Sequence, residues 1–383
     1  MREYLLVMLI AALGTFLLCG PCRRVAVRTG ALAPVRERDV HSRPTPYLGG
    51  VAMLIGVLAA FLLAIHLPFL GRHATLTHDA LGIFVAAAVI CVIGAIDDAI
   101  DLPWMAKIAG QVLAAGVVVL NGVRMYWVSL PHQIIALDTP TSLLVTVLYI
   151  FVCVNAVNLI DGLDGLASGV VGIGALALLL YTYLLAYQQQ FAVATTASLV
   201  SATIAGICAG FLPHNFHRAR MFMGDSGSML LGLLLACSTI SLTGQIDSSA
   251  LTPSSGDILP ALLPILLPIA VMAIPLADLT LAYVRRTWNG NWWFVADKKH
   301  LHHRLLQRGH SQVKAVLIMY MWTALVAFGV IVLGLVWNGW LVAAGADGLL
   351  GWALALVVLV ILAVLVTVGP LSARHRRAGR DAR

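Results

Sequence analysis

The chain reads as an all-α, polytopic integral membrane protein. Three observations predict this. Of its 383 residues 60% are hydrophobic and 11% charged. Apolar runs of about 17 to 25 residues, the length that crosses a bilayer, recur from end to end. And 21 of the 24 Lys and Arg residues fall in alternate connecting segments. No soluble domain of useful size is left over, so a single membrane-embedded domain over residues 1–370 and a basic tail over 371–383 are expected.

Spans are expected at 5–20, 48–70, 80–96, 104–120, 141–157, 166–187, 191–212, 226–243, 258–283, 313–337 and 349–368, about eleven helices. The first resembles a signal peptide in length, but the positive charge follows it at Arg23 and Arg24, so it reads as a retained anchor. The third ends in Asp97 and Asp98. The fourth carries Lys107 one turn inside its start, four residues before Gln111, and the ninth carries Asp278 about two turns from its end. Charges at such depths need a partner or a wet cavity. The eighth opens on Gly224 to Ser228, GDSGS.

An odd number of spans puts the termini on opposite faces. Because Lys and Arg near span ends stay cytoplasmic, the basic segments place the N-terminus outside and the C-terminus in the cytoplasm of a cell-membrane protein. The net charge of +7 belongs to that one surface, which suits membrane lipids with anionic headgroups and anionic substrates rather than nucleic acid. The six cysteines lie in or beside spans and read as small apolar fillers without disulfides. Trp127, Trp337 and Trp340 read as interfacial aromatics.

Residues capable of chemistry gather in five segments that the spans bring to this same face. Adjacent carboxylates at Asp97 and Asp98 repel unless a cation or a shared proton intervenes, which suggests a divalent metal or a base beside a perturbed partner. A solvated acidic loop accounts for them equally well. In Asn155 to Ala167, NAVNLIDGLDGLA, Gly162 and Gly165 disfavour a continuous helix. Asp161 and Asp164 then share a pocket with the amides of Asn155 and Asn158, a set fit for hydrated magnesium, phosphate or a nucleobase edge. A polar turn capping the next helix explains one aspartate but hardly all four groups. In GDSGS, free N–H groups form an anion-friendly helix start beside Asp225, which could hold a metal; a simple N-cap by Asp225 or Ser226 fits as well. His300, His302 and His303, amid Lys298, Lys299 and Arg304, favour anion contact or proton transfer over zinc. A basic lipid-facing loop explains the arginines better than the histidines.

Taken together, the motifs PTPYLGG, IDD, KIAGQ, NAVNLIDGLDGLA, FMGDSGS and HLHHRLL, in this order from about Arg36 to Leu306, resemble the polyprenyl-phosphate N-acetylhexosamine-1-phosphate transferases. Within them the chain looks like the bacterial undecaprenyl- or decaprenyl-phosphate N-acetylglucosamine-1-phosphate branch rather than the muramoyl-pentapeptide branch. The resemblance implies attack of a polyprenyl phosphate on the β-phosphate of a UDP-N-acetylhexosamine, giving polyprenyl-diphosphate-sugar and UMP, with Mg2+ or Mn2+ as cofactor. It also implies site residues. Asp225 and Asn155 hold the metal. Asp97, Asp98, His302 and His303 are catalytic, and Thr45, Lys107, Asn158, Asp161, Asp164 and Arg304 bind substrate, with Gly49 in the first loop's motif. A homodimer is compatible with it. One departure stands out: where the sugar-transferase branch usually has Gly-Arg-Ser before a Phe, this chain has Gly290-Asn291-Trp292-Trp293-Phe294, in a loop expected to help select the sugar. A secondary transporter or lipid flippase is the alternative of another class. It requires charges near the midplane and repeated halves, whereas these acids sit at one face and no repeat is evident.

Overall fold

The computed structural model describes residues 2–33, 44–72, 74–130, 133–188, 196–244, 309–337 and 358–364, with isolated positions at 270, 272–273, 276–277, 280, 284, 287, 305–306 and 366–367. In chain order the helices are α1 (Arg2–Thr29), α2 (Gly49–Ala64), α3 (Ala74–Ile100), α4 (Trp104–Leu120), α5 (Thr139–Ile160), α6 (Leu166–Gln188), α7 (Thr196–Asn215), α8 (Gly224–Gly244) and α9 (Gln312–Trp337). Seven of them, all but α2 and α4, are long and apolar enough to cross a membrane. The protein is therefore a multi-pass membrane protein. The expected spans at 258–283 and 349–368 lie mostly outside the described residues, although 358–364 is helical.

Helix limits follow physical chemistry that hydropathy does not register. α1 continues past Pro21 through Arg23, Arg24 and Arg28, because arginine is a good helix former and only the bilayer, not the helix, ends where apolarity does. Its 28 residues span about 42 Å, more than the roughly 30 Å hydrocarbon layer, so the basic end stands beyond it. α2 is shorter than its apolar run, stopping at Ala64 before a 3-10 turn, Leu70–Arg72. The carboxylate of Glu3 accepts the N–H groups of Phe69 and Leu70 at 3.0 Å each, tying this turn to the start of α1.

Two short antiparallel pairs interrupt the helices. β1 (Leu32–Ala33) pairs with β2 (Thr45–Pro46), Leu32 opposite Pro46. β3 (Trp127–Leu130) pairs with β4 (Gln133–Ala136), Trp127 opposite Ala136. This second hairpin corrects the expectation of an interfacial Trp127, whose side chain is buried. An indole next to a paired backbone can pack on the protein instead of lipid.

α8 is the axis of the fold. Its apolar stretch is wholly buried, and it packs against α2, α3, α5, α6 and α7. Lipid tails are as apolar as leucine, so close packing and interhelical hydrogen bonds hold such a bundle. Both are visible. Gly50 of α2 and Gly94 of α3 lie so near the Ser226–Gly227 backbone that a Cβ on either would overlap it. Hydroxyls pair across helices between Ser201 and Ser238 at 2.6 Å, Ser198 and Thr182 at 2.8 Å, and Tyr149 and Thr239 at 2.9 Å. Each such bond contributes about 0.6 kcal/mol inside a bilayer. The consequence for function is positional: the start of α8 is pressed between the ends of α3 and α5 and the start of α2.

Candidate active site

Where those ends meet, one ammonium lies between two carboxylates. Asp97, near the end of α3, accepts the Leu102 N–H on Oδ1 at 2.9 Å and the Lys107 Nζ on Oδ2 at 3.0 Å. The chain can return so quickly because Asp101 adopts a left-handed φ of 51° and Pro103 starts α4, which puts Lys107 in the first turn of that helix. Lys107 Nζ also pairs with Oδ2 of Asp225, at the start of α8. The other oxygen of Asp225 accepts Asn158 Nδ2 at 2.8 Å, and the same nitrogen lies 2.8 Å from Ser228 Oγ. All three charged side chains are part-buried, so solvent screens them less than surface ions.

Asp98, one residue from Asp97, has a different task. Its Oδ1 accepts the Asp225 N–H at 2.8 Å, and its Oδ2 accepts the Ser226 N–H at 3.2 Å and the Ser226 hydroxyl at 2.9 Å. Gly224, with φ 68°, leaves the space that this carboxylate fills; a Cβ there would strike it. The sequence suggested that GDSGS would offer free N–H groups to a phosphate or cap itself. The structure corrects both: the first amides of α8 are taken by an aspartate from α3. A carboxylate at a helix N-terminus satisfies otherwise orphaned donors and complements the positive end of the helix dipole.

Asn155, one turn deeper than Asn158, donates to Gln111 Oε1 and to the Phe151 carbonyl, both at 2.8 Å. Gln111 is buried and donates in turn to Met229 Sδ at 3.4 Å. Thus Asn158 touches Asp225 directly, whereas Asn155 supports Gln111 beneath it. In the turn after α5, Asp164 Oδ2 accepts the Ala219 N–H at 3.0 Å and lies 3.8 Å from His217 Nδ1. Asp161 is half-buried, and no donor among the described residues bonds its carboxyl. Burial, followed by the negative charges of Asp225, Asp98 and Asp164, pushes it up to about 8.

The first loop joins from another side. Gly49 and Gly50 donate N–H groups to the carbonyls of Phe222 and Met223 at 3.1 Å each, and Phe222 donates to the Pro46 carbonyl at 2.9 Å. Buried Thr45 on β2 is thereby held beside the approach to α8. The structure so brings together Thr45, Asp97, Asp98, Lys107, Asn155, Asn158, Asp161, Asp164 and Asp225. His302, His303 and Arg304, with Asp278 and the Gly290–Phe294 run, lie outside the described residues. Sequence reasoning passed over Gln111 as a site residue, although its four-residue spacing from Lys107 was a signal; Ser226 and Ser228 entered only as hydroxyls of the GDSGS helix start.

Among the described residues no group of three or more His, Cys, Asp or Glu is arranged to hold a metal. The donors that do converge nonetheless suit a hard cation. Asp97 and Asp225 already share one positive charge, the Lys107 ammonium, and Mg2+ characteristically uses one or two carboxylates and completes its shell with water and phosphate oxygens.

Residues 80–243 match glycosyl transferase family 4. Over 333 residues, 86% of this chain and 82% of the relative, the sequence is 46% identical to a decaprenyl-phosphate N-acetylglucosaminephosphotransferase of Mycobacterium tuberculosis. It is 33% identical over 321 residues, 83% of this chain and 81% of the relative, to a probable undecaprenyl-phosphate N-acetylglucosaminyl 1-phosphate transferase of Bacillus subtilis. It is 26% identical over 312 residues, 80% of this chain and 77% of the relative, to an undecaprenyl-phosphate alpha-N-acetylglucosaminyl 1-phosphate transferase of Escherichia coli. The chain belongs to glycosyl transferase family 4.

Proposed function

We propose that the protein transfers N-acetylglucosamine 1-phosphate from UDP-N-acetylglucosamine to a membrane polyprenyl phosphate. The observation that carries this reading is the Asp97–Lys107–Asp225 cluster at one end of a membrane bundle, in a chain whose relatives bear the names of that activity. An oxygen of the polyprenyl phosphate attacks the β-phosphorus of the donor. The bond from that phosphorus to the bridging oxygen breaks, and UMP leaves with the electron pair. The products are polyprenyl-diphosphate-N-acetylglucosamine and UMP. Such transfers depend on positioning and on neutralising phosphate charge.

Asp225, Asp97 and Asn158 are the residues that would hold Mg2+ or Mn2+, with Asn155 keeping Gln111 in place behind them. When bound, the cation neutralises charge on the diphosphate and the departing UMP. Asp97 orients or deprotonates the acceptor phosphate. Lys107, released from the carboxylates, pairs with a phosphate oxygen. Asp161 and Thr45 line the donor's pocket, and Asp98 holds α8 so that Asp225 faces the reaction. The histidines His302 and His303, with Arg304, belong at the sugar-diphosphate end. The topology is eleven spans in the cell membrane, with the N-terminus outside and this end in the cytoplasm, where UDP-sugars are soluble; the asymmetry of the basic residues supports it.

Purified protein supplied with a panel of labelled UDP-sugars and decaprenyl phosphate tests the reaction. The expected outcome is label in the lipid fraction from UDP-N-acetylglucosamine, lost in Asp225→Asn with the fold intact. Normal turnover by that variant would remove Asp225 from the centre.

A further inference from the structure

Gly165 closes the turn that carries Asp161 and Asp164, and it does so in the left-handed region, with φ 77°. Both halves of its backbone are held by side chains from other helices. Its N–H donates to Asn215 Oδ1 at 3.0 Å, and its carbonyl accepts the hydroxyl of Tyr320. Asn215 ends α7 and is buried; its oxygen also receives the Ser168 hydroxyl at 3.4 Å, while its Nδ2 donates to the Met221 carbonyl at 3.0 Å. Tyr320 sits on α9, and its ring lies so close over Gly169 of α6 that a Cβ there would overlap it.

These bonds form a bracket. One amide joins the turn to the segment leading into Gly224 and Asp225, and one phenol joins the next peptide of the turn to α9, the helix that follows the His302–His303 segment. Asp164 closes the bracket from the turn side by accepting the Ala219 N–H at 3.0 Å. Placing a fully buried amide and a part-buried phenol on the two peptide units that flank Gly165 is costly unless every bond is made, and a network so satisfied specifies a single geometry. Packing alone would call for apolar side chains at both positions.

We infer that Asn215 and Tyr320 are positioning residues for donor binding: they hold the Gly165 backbone from two sides and so set Asp161 and Asp164 against Asp225. Neither touches the reacting atoms. The inference rests on the transferase reading only for the identity of the donor; the bracket itself is a matter of structure.

Tyr320→Phe tests it, because the ring over Gly169 remains and only the hydroxyl is lost. One neutral hydrogen bond is worth about a fivefold change in an equilibrium. The expected result is about fivefold faster amide exchange across residues 161–168 and about a fivefold higher KM for UDP-N-acetylglucosamine. The kcat and the KM for polyprenyl phosphate should stay within about twofold, as expected when binding alone is weakened, and the melting temperature should fall by no more than a few degrees. Asn215→Ala should act in the same direction and more strongly; should it fail to fold, Tyr320→Phe decides. Unchanged exchange at 161–168 overturns the bracket. A parallel fall of both substrates' kinetics and of melting temperature, without a selective rise in donor KM, overturns the positioning role in favour of plain packing. If the unaltered protein releases no UMP, the transferase reading fails by itself, and the exchange measurement still decides whether the bracket holds the turn.

Discussion

Asp97 and Asp98 are neighbours in sequence, and replacing each with asparagine should have opposite consequences. Asp98 accepts three hydrogen bonds at the start of α8, one on Oδ1 and two on Oδ2. Asparagine keeps one acceptor oxygen, so at least one bond is lost and an amide N–H2 is turned against backbone donors. Leaving a buried donor without its acceptor costs about 1–3 kcal/mol. Asp98→Asn should therefore destabilise the fold by about 1–3 kcal/mol. Asp97→Asn loses the charge facing Lys107 but keeps an acceptor for the Leu102 N–H. With the pair part-exposed and Lys107 still bound to Asp225, it should cost about 1 kcal/mol or less. Activity should invert the order: Asp97→Asn should lower transfer by about 100-fold or more, the usual scale for losing an acid–base group. Thermal unfolding of the two variants in detergent, run beside the transfer assay, measures both. An Asp98→Asn protein that melts like the parent yet transfers nothing would refute the assignment of Asp98 to helix capping and make it a reacting group.

Lys107→Met removes the cation that the two carboxylates share. Divalent metal no longer has to displace it, so Mn2+ affinity measured by electron paramagnetic resonance should rise by about tenfold, the weight of one partly buried charged hydrogen bond, even as transfer falls; weaker binding would mean that Lys107 assembles the metal site instead. Single cysteines placed near His302 should react with a membrane-impermeant maleimide only in inverted vesicles, and labelling from outside intact cells would reverse the topology.

How much of this could be read in the sequence depended on range. Hydropathy located the described helices, and α4 has the limits expected of it, because Pro103 and Asn121 bound its mostly apolar run. It missed the extension of α1, where the helix outlasts the membrane. It also missed the β3–β4 hairpin, although Trp127–Leu130 and Gln133–Ala136 are two short β-prone runs around Pro131-His132. The site residues came together because their motifs sit at span ends that the topology puts on one face. Their division of labour was not legible. A helix cap is sought within a few residues, and Asp98 caps a helix 127 residues away. The same holds for Asn215 and Tyr320, 50 and 155 residues from Gly165, whose residue types carry no motif of their own.

The central claim is that the sugar moves with its phosphate. UDP-N-acetylglucosamine labelled in the β-phosphate, given with decaprenyl phosphate to the purified protein, follows that atom directly. The account predicts the label in the lipid fraction, in equal amount with released UMP. Label recovered in water as UDP, with sugar alone on the lipid, would contradict it.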